Sequence, residues 1–189
     1  DYKEVTSYVY SLDNRKKLEE EADALRHLGW DAAILETPKL PMQTMGAVCM
    51  EHQAQFHPLK FVAKIAQGLA IYEDTFVKEF KNHTAVTESG NITYRKVIFA
   101  THFPIDNKHG LYFLKMYQHR SYVIALENAK DVEGIYIDEN RKVMSFRNYK
   151  DLLFLGGGSH RTGKKGGCWQ ELKEAAHRYY PEASIKYAW

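Results

Sequence analysis

The run Leu153-Phe154-Leu155-Gly156-Gly157-Gly158-Ser159-His160-Arg161-Thr162-Gly163-Lys164-Lys165 concentrates the most chemistry. An apolar stretch runs into glycines and then into cations. Gly158, Gly163 and Lys164 satisfy the G-x-x-x-x-G-K part of a phosphate-binding loop, in which backbone N–H groups cradle phosphate and the lysine supplies counter-charge. Lys165 stands where such a loop needs Ser or Thr to hold magnesium, and Gly166 and Gly167 delay the helix that should follow at once. Two other readings compete: a flexible basic surface loop, or a glycine turn that lets a large ligand approach the backbone. A nucleotide-phosphate-binding protein using residues 158–164 and a non-catalytic interaction domain both remain open at this point.

Arginine beside tyrosine is the second combination. Arg147 and Tyr149 share one face of a strand by their spacing, as do Arg120 and Tyr122. A guanidinium fork next to a phenol would hold a carboxylate through paired, charge-assisted hydrogen bonds. A solvent-facing strand with ordinary cross-strand pairs has the same pattern. The stretch Val97-Ile98-Phe99-Ala100-Thr101-His102 reads as a buried strand ending in small residues, and ligands of open α/β sheets gather outside such ends. His57 precedes Pro58 and can cap a helix, face a ligand or pack. His52 and His57, five apart, match a metal pair on neither helix nor strand.

The elements that position these groups follow from periodicity. Leu18, Ala22, Leu25 and Leu28 recur at helical spacing, with Asp13 or Asn14 as N-cap and Gly29 as the stop, which predicts a helix over about 14–28. Residues 30–50 read as irregular chain leading to a short strand. Pro58 opens a second helix whose apolar stripe, Leu59, Val62, Ile65, Ala66 and Leu69, is expected to be buried, with Gly68 near its end. Residues 71–80, 84–88 and 92–100 then read as strands, with Ser89-Gly90-Asn91 as a turn and 96–100 buried on both faces. After a loop over 101–115, containing Asp106 and Asn107, strands are expected at 116–127, 134–138, 142–147 and 151–156, joined closely enough to be antiparallel neighbours. A helix over about 168–180, ended by Pro181, and a strand from Ser184 complete the pattern. The fold class is α+β: a mixed, largely antiparallel sheet covered by two or three helices.

Composition narrows the function classes. The 189 residues carry 26 basic and 24 acidic side chains, a net +2, which disfavours nucleic-acid binding. At 44% hydrophobic and 13% aromatic the chain can build a core. No apolar run reaches the roughly 20 residues of a membrane span. Cys49 and Cys168, the only cysteines, exclude a disulfide framework and most structural zinc sites, and as reduced thiols point to the cytoplasm. No initiator Met precedes Asp1, and Tyr187-Ala188-Trp189 reads as the middle of a strand, so a piece of a longer protein is expected.

Several segments, in order, resemble the FAD-dependent oxidoreductases of the glycine/D-amino acid oxidase (DAO) family. They are Gln55-Phe56-His57-Pro58-Leu59-Lys60, Ile71-Tyr72-Glu73-Asp74-Thr75-Phe76-Val77, Val97 to Ile105, Gly110-Leu111-Tyr112-Phe113, Arg120-Ser121-Tyr122, Gly134-Ile135-Tyr136 and Leu155 to Lys164. Among these it is similar to the bacterial members that sometimes carry an extra C-terminal Rieske domain. The family opens with a dinucleotide fold marked by G-x-G-x-x-G, which this sequence lacks. The resemblance therefore implies the interior of such a protein: one domain over 1–189, substrate-binding, in which about 71–105 includes strands that would complete the FAD domain.

The resemblance also implies roles. Val77, Ala100, Thr101, His102, Gly157 and Gly158 would contact FAD, and Arg147 and Tyr136 would face the substrate, Arg147 holding a carboxylate. His102 stands where much of the family has Gly. The implied reaction is oxidation of the C–N bond of an amine or amino acid by hydride transfer to flavin. The chain alone is expected to be inactive and to retain no FAD. No residue is nominated as a base, no metal site is expected, and the partners implied are the small-molecule substrate and the missing FAD-binding part of the same chain. Neither nucleic acid nor membrane is expected as a partner.

Overall fold

The computed structural model of the chain describes residues 2–105, 110–140 and 144–189. In chain order its elements are β1 (Lys3–Tyr10), α1 (Arg15–His27), β2 (Ala32–Leu35), β3 (Ala47–Gln55), α2 (Pro58–Ile65), β4 (Val77–Lys81), β5 (Thr84–Thr87), β6 (Asn91–Thr93), α3 (Tyr112–Lys115), β7 (His119–Glu127), β8 (Ile135–Asp138), β9 (Ser145–Tyr149), β10 (Leu152–Arg161), α4 (Cys168–Tyr179) and β11 (Ser184–Ala188). They divide into two compact units, one of residues 1–57 with 118–189 and one of 58–117.

The first unit is built on an eight-stranded sheet in the order β11-β7-β10-β9-β8-β1-β3-β2. The β1–β8 pair is parallel and the others are antiparallel. α4 covers one face. Its Leu172, Ala175 and Ala176 pack on Ile124 and Leu126 of β7, Leu153 and Leu155 of β10 and Phe146 of β9. Full burial of one such leucine contributes roughly 1.5–3 kcal/mol, so this face is the main core. α1 covers the other face at the β2–β3 end, where Leu18 and Ala22 meet Val48 and Ala32. Asn14 caps α1 by accepting from the Lys17 N–H at 3.1 Å, and Gly29 leaves it at φ +84°.

The tyrosine-rich start of the chain is β1, inside the sheet, and residues 32–35, expected to be irregular, form β2. β10 extends through the glycines to Arg161, so the run read as a loop is strand as far as that residue. The four expected antiparallel strands are present, although β10 rather than β8 is the neighbour of β7. Residues 142 and 143 of the strand expected at 142–147 lie outside the described residues, as do Asp106 and Asn107.

The second unit holds α2, the β4-β5-β6 sheet and the single turn α3. Two expectations fail here. α2 forms as its periodicity demands, yet no residue of it is buried, and Leu59 is 74% exposed. A stripe specifies which face of a helix is apolar, not what covers it. Lys96 to Ala100 is not a strand: the ladder stops at Thr93 and Ile98 is 88% exposed. Residues 71–76 likewise lie ahead of β4. An apolar run becomes a strand only where a neighbouring strand takes its backbone hydrogen bonds, and among the described residues neither run has such a partner. Phe99 still packs edge-on against Phe80, with ring centroids 4.9 Å apart.

Candidate active site

Arg147 lies in the middle of β9, half-buried, with Ile135 and Phe154 as its cross-strand partners. Strand alternation sends it to the sheet face that α4 leaves uncovered. Its guanidinium sits over the Phe154 ring, 5.5 Å from the centroid. The same ring meets Tyr149 at 6.4 Å and Trp189 edge-on at 5.6 Å, and His57 meets Tyr149 at 6.1 Å. Trp189 reaches this position because it exchanges two backbone hydrogen bonds with Val123, 2.9 and 3.0 Å. The result is a cation backed by aromatic rings, beside a cavity of about 340 Å³ lined by Arg147, Tyr149, Lys150, Asp131, Lys3 and Phe56 among others. The ring beneath the guanidinium holds its plane while leaving its N–H edge available for a carboxylate.

Gly156, Gly157 and Gly158 lie further along β10. Gly157 is three residues past Phe154, roughly 10 Å at strand rise. A Cβ on Gly156 would come within 2.6 Å of Ser145 Oγ. Gly158 has φ +61°, and a Cβ there would collide with the Cys168 backbone. The bare backbone of Gly156 and Gly157, with Ser121, Val123, Ser145 and Ser159, borders a second cavity of about 240 Å³. Beside it, Tyr122 Oη and Cys168 Sγ lie 3.0 and 3.6 Å from the same His160 Nε2. The thiol contact, then burial, raises the Tyr122 hydroxyl above its usual range.

Tyr136 is not brought to Arg147. It pairs with Phe146, one register step away, and so points to the opposite face. It is 1% exposed and stacks on Tyr8 with centroids 4.4 Å apart. Burial first, and the Tyr8 hydroxyl next, push its pKa up to about 12, so it stays a neutral phenol.

The remaining candidates belong to the second unit. Val77 opens β4 and pairs with Thr87. Ala100, Thr101 and His102 are exposed, in chain without regular structure, where Thr101 Oγ1 donates to the Phe103 carbonyl at 2.7 Å. His102 has φ +62°, the left-handed region that favours glycine.

The aromatic backing of Arg147 and the Tyr122–His160–Cys168 contact escape sequence reasoning, because both depend on cross-strand register. Among the described residues the fit to a dinucleotide is partial: Gly156 and Gly157 line the 240 Å³ cavity, although Ser145 Oγ fills the Cβ space of Gly156, and the sequence has no G-x-G-x-x-G turn to cradle a pyrophosphate.

The model of the FAD-dependent oxidoreductase (DAO) family matches residues 1–189. YhfW of Bacillus subtilis (strain 168), whose name describes it as a Rieske 2Fe-2S iron-sulfur protein, is 29% identical over an alignment of 205 positions that covers 98% of this chain and 40% of YhfW. L-proline dehydrogenase from P. horikoshii superposes with a TM-score of 0.76 at 14% identity, covering 100% of this chain and 60% of that one. Glycine oxidase from Geobacillus kaustophilus gives 0.75 at 16% identity, covering 100% and 58%. The chain thus spans between 40% and 60% of the length of these relatives, and the two structures share its fold.

Proposed function

Because the chain belongs to the FAD-dependent oxidoreductase (DAO) family, we propose that it is the substrate-binding part of an enzyme that oxidises the C–N bond of an amine or amino acid. The observation that carries this reading is Arg147, a cation backed by Phe154 at the mouth of a 340 Å³ cavity. Its fork binds the substrate carboxylate through paired hydrogen bonds, while Tyr149 and Phe56 contact the carbon skeleton and exclude water. FAD, when bound, accepts the hydride and carries the redox chemistry. Gly157 and Gly158 from one unit, and Val77, Ala100, Thr101 and His102 from the other, are the candidates to touch it. Its pyrophosphate site is assigned to the FAD-binding part of the same protein. No side chain is nominated as a base. Tyr136, in the core, supports the strand that carries Ile135 rather than the substrate itself.

The phosphate-loop alternative loses support. β10 runs on to Arg161, Lys165 offers no hydroxyl, and Gly167 precedes the helix. Among the described residues no helix is long and apolar enough to cross a membrane. The unpaired thiols of Cys49 and Cys168 support a cytoplasmic setting.

Steady-state kinetics of Arg147→Met in the full-length flavoprotein test the assignment. Loss of a charge-assisted hydrogen bond costs about 1.5–3 kcal/mol, a rise in KM of roughly 10- to 150-fold. Unchanged KM and kcat would remove Arg147 from the site.

A further inference from the structure

The cavity beside Arg147 carries more positive charge than a single carboxylate needs. We propose that its ligand is an amino dicarboxylate, an amino acid with two carboxylates and one ammonium; this rests on the assignment of Arg147 above. The charged lining is Lys3, Arg147 and Lys150 against one acid, Asp131. Arg147 matches one carboxylate, Lys3 and Lys150 together match the second, and Asp131 matches the ammonium. A monocarboxylate zwitterion would leave two cations facing an uncharged part of the ligand.

The positions divide the work. Arg147 is half-buried and its guanidinium is oriented by Phe154, which suits the carboxylate that fixes the substrate. Lys150 follows β9 directly, at φ +53°, with its ammonium 5.6 Å from the Tyr149 ring. It is exposed and serves the outer carboxylate. Lys3 opens β1 and pairs with Gln55, another lining residue. Asp131 accepts the Glu133 N–H at 2.7 Å, which orients its carboxylate as the counter-charge for the ammonium. Tyr149 and Phe56 offer apolar surface to the methylenes between the charges. A cavity of about 340 Å³ lies at the small end of ligand pockets and suits a compact diacid.

The test uses the full-length flavoprotein at low ionic strength, with calorimetric titration of glutarate, butyrate and inorganic phosphate, none of which can be oxidised as an amine. Glutarate is expected to bind roughly tenfold more tightly than butyrate, the combined worth of two exposed ion pairs. Lys150→Met and Lys3→Met should each lower glutarate affinity by roughly threefold without changing that of butyrate, and Arg147→Met should weaken both ligands. In turnover, amino dicarboxylates should then show higher kcat/KM than monocarboxylic amino acids. Equal affinities for glutarate and butyrate, with Arg147→Met still weakening both, would overturn the dicarboxylate proposal and leave the Arg147 assignment standing. Phosphate binding as tight as glutarate would also overturn it, since the pocket would then read charge alone. Insensitivity of both organic anions to Arg147→Met would remove the site assignment and this inference with it.

Discussion

At the scale of single residues, two contacts show how neighbours set the state of a side chain. His52 Nδ1 lies 2.6 Å from Glu4 Oε1, and this hydrogen bond, with the glutamate charge behind it, raises the imidazole above its ordinary value. The folded state therefore holds the His52 proton more tightly than the unfolded chain does. Any stabilisation is complete below about pH 6.5 and lost as pH rises through the folded value. Both side chains are exposed, so the visible consequence is the titration itself. Glu4→Gln should bring the His52 midpoint down in an NMR titration; an identical midpoint in the variant would show that the contact does not persist in solution. Tyr136 shows the opposite control: burial holds it a neutral phenol.

At the scale of elements, the glycine-rich stretch from β10 to α4 separates two functions of glycine. At Gly158 the backbone is left-handed and the space for a Cβ is already filled by the Cys168 backbone. At Gly163 the backbone is also left-handed, φ +83°, but nothing lies within 4 Å. Gly163→Ala should therefore carry only the conformational cost, about 1–2 kcal/mol. Gly158→Ala should cost more, because the start of α4 must move away from β10 as well. Urea unfolding of the full-length protein, followed by the fluorescence of Trp169 and Trp189, measures the order. Equal destabilisation would mean that the close approach of β10 to α4 is not maintained.

At the scale of the whole molecule, the candidate cofactor contacts are divided between two compact units. Val77 and Ala100 to His102 lie in one, Gly157 and Gly158 in the other. The sequence has no G-x-G-x-x-G turn for a pyrophosphate, and affinity for a large cofactor depends on many contacts acting on a preorganised site. The purified 189-residue chain is expected to show secondary structure by circular dichroism and, after addition of FAD and desalting, no visible flavin absorbance. Stoichiometric retained flavin would mean that the cofactor site is complete within this chain; a spectrum without secondary structure would mean that these residues do not fold alone.

What the amino-acid sequence determined by itself was local or periodic. Asn14 and Gly29 bound α1, Pro58 opens α2, and Pro181 closes α4. Alternation along β9 places Arg147 and Tyr149 on one face, and the ordered DAO-like segments identify the family. These signals need only a few neighbouring residues, or a pattern repeated along the chain. The tertiary structure alone decided whatever depends on a partner distant in sequence. Register sends Arg147 and Tyr136 to opposite faces, since one step along a strand reverses the side chain. Strand order carries Phe154 between Arg147 and Trp189 and gathers Lys3, Asp131 and Lys150 around one cavity. Among the described residues no strand pairs with Lys96 to Ala100 and nothing covers the α2 stripe: apolar content states what a segment can bury, and only its neighbours determine what it does bury.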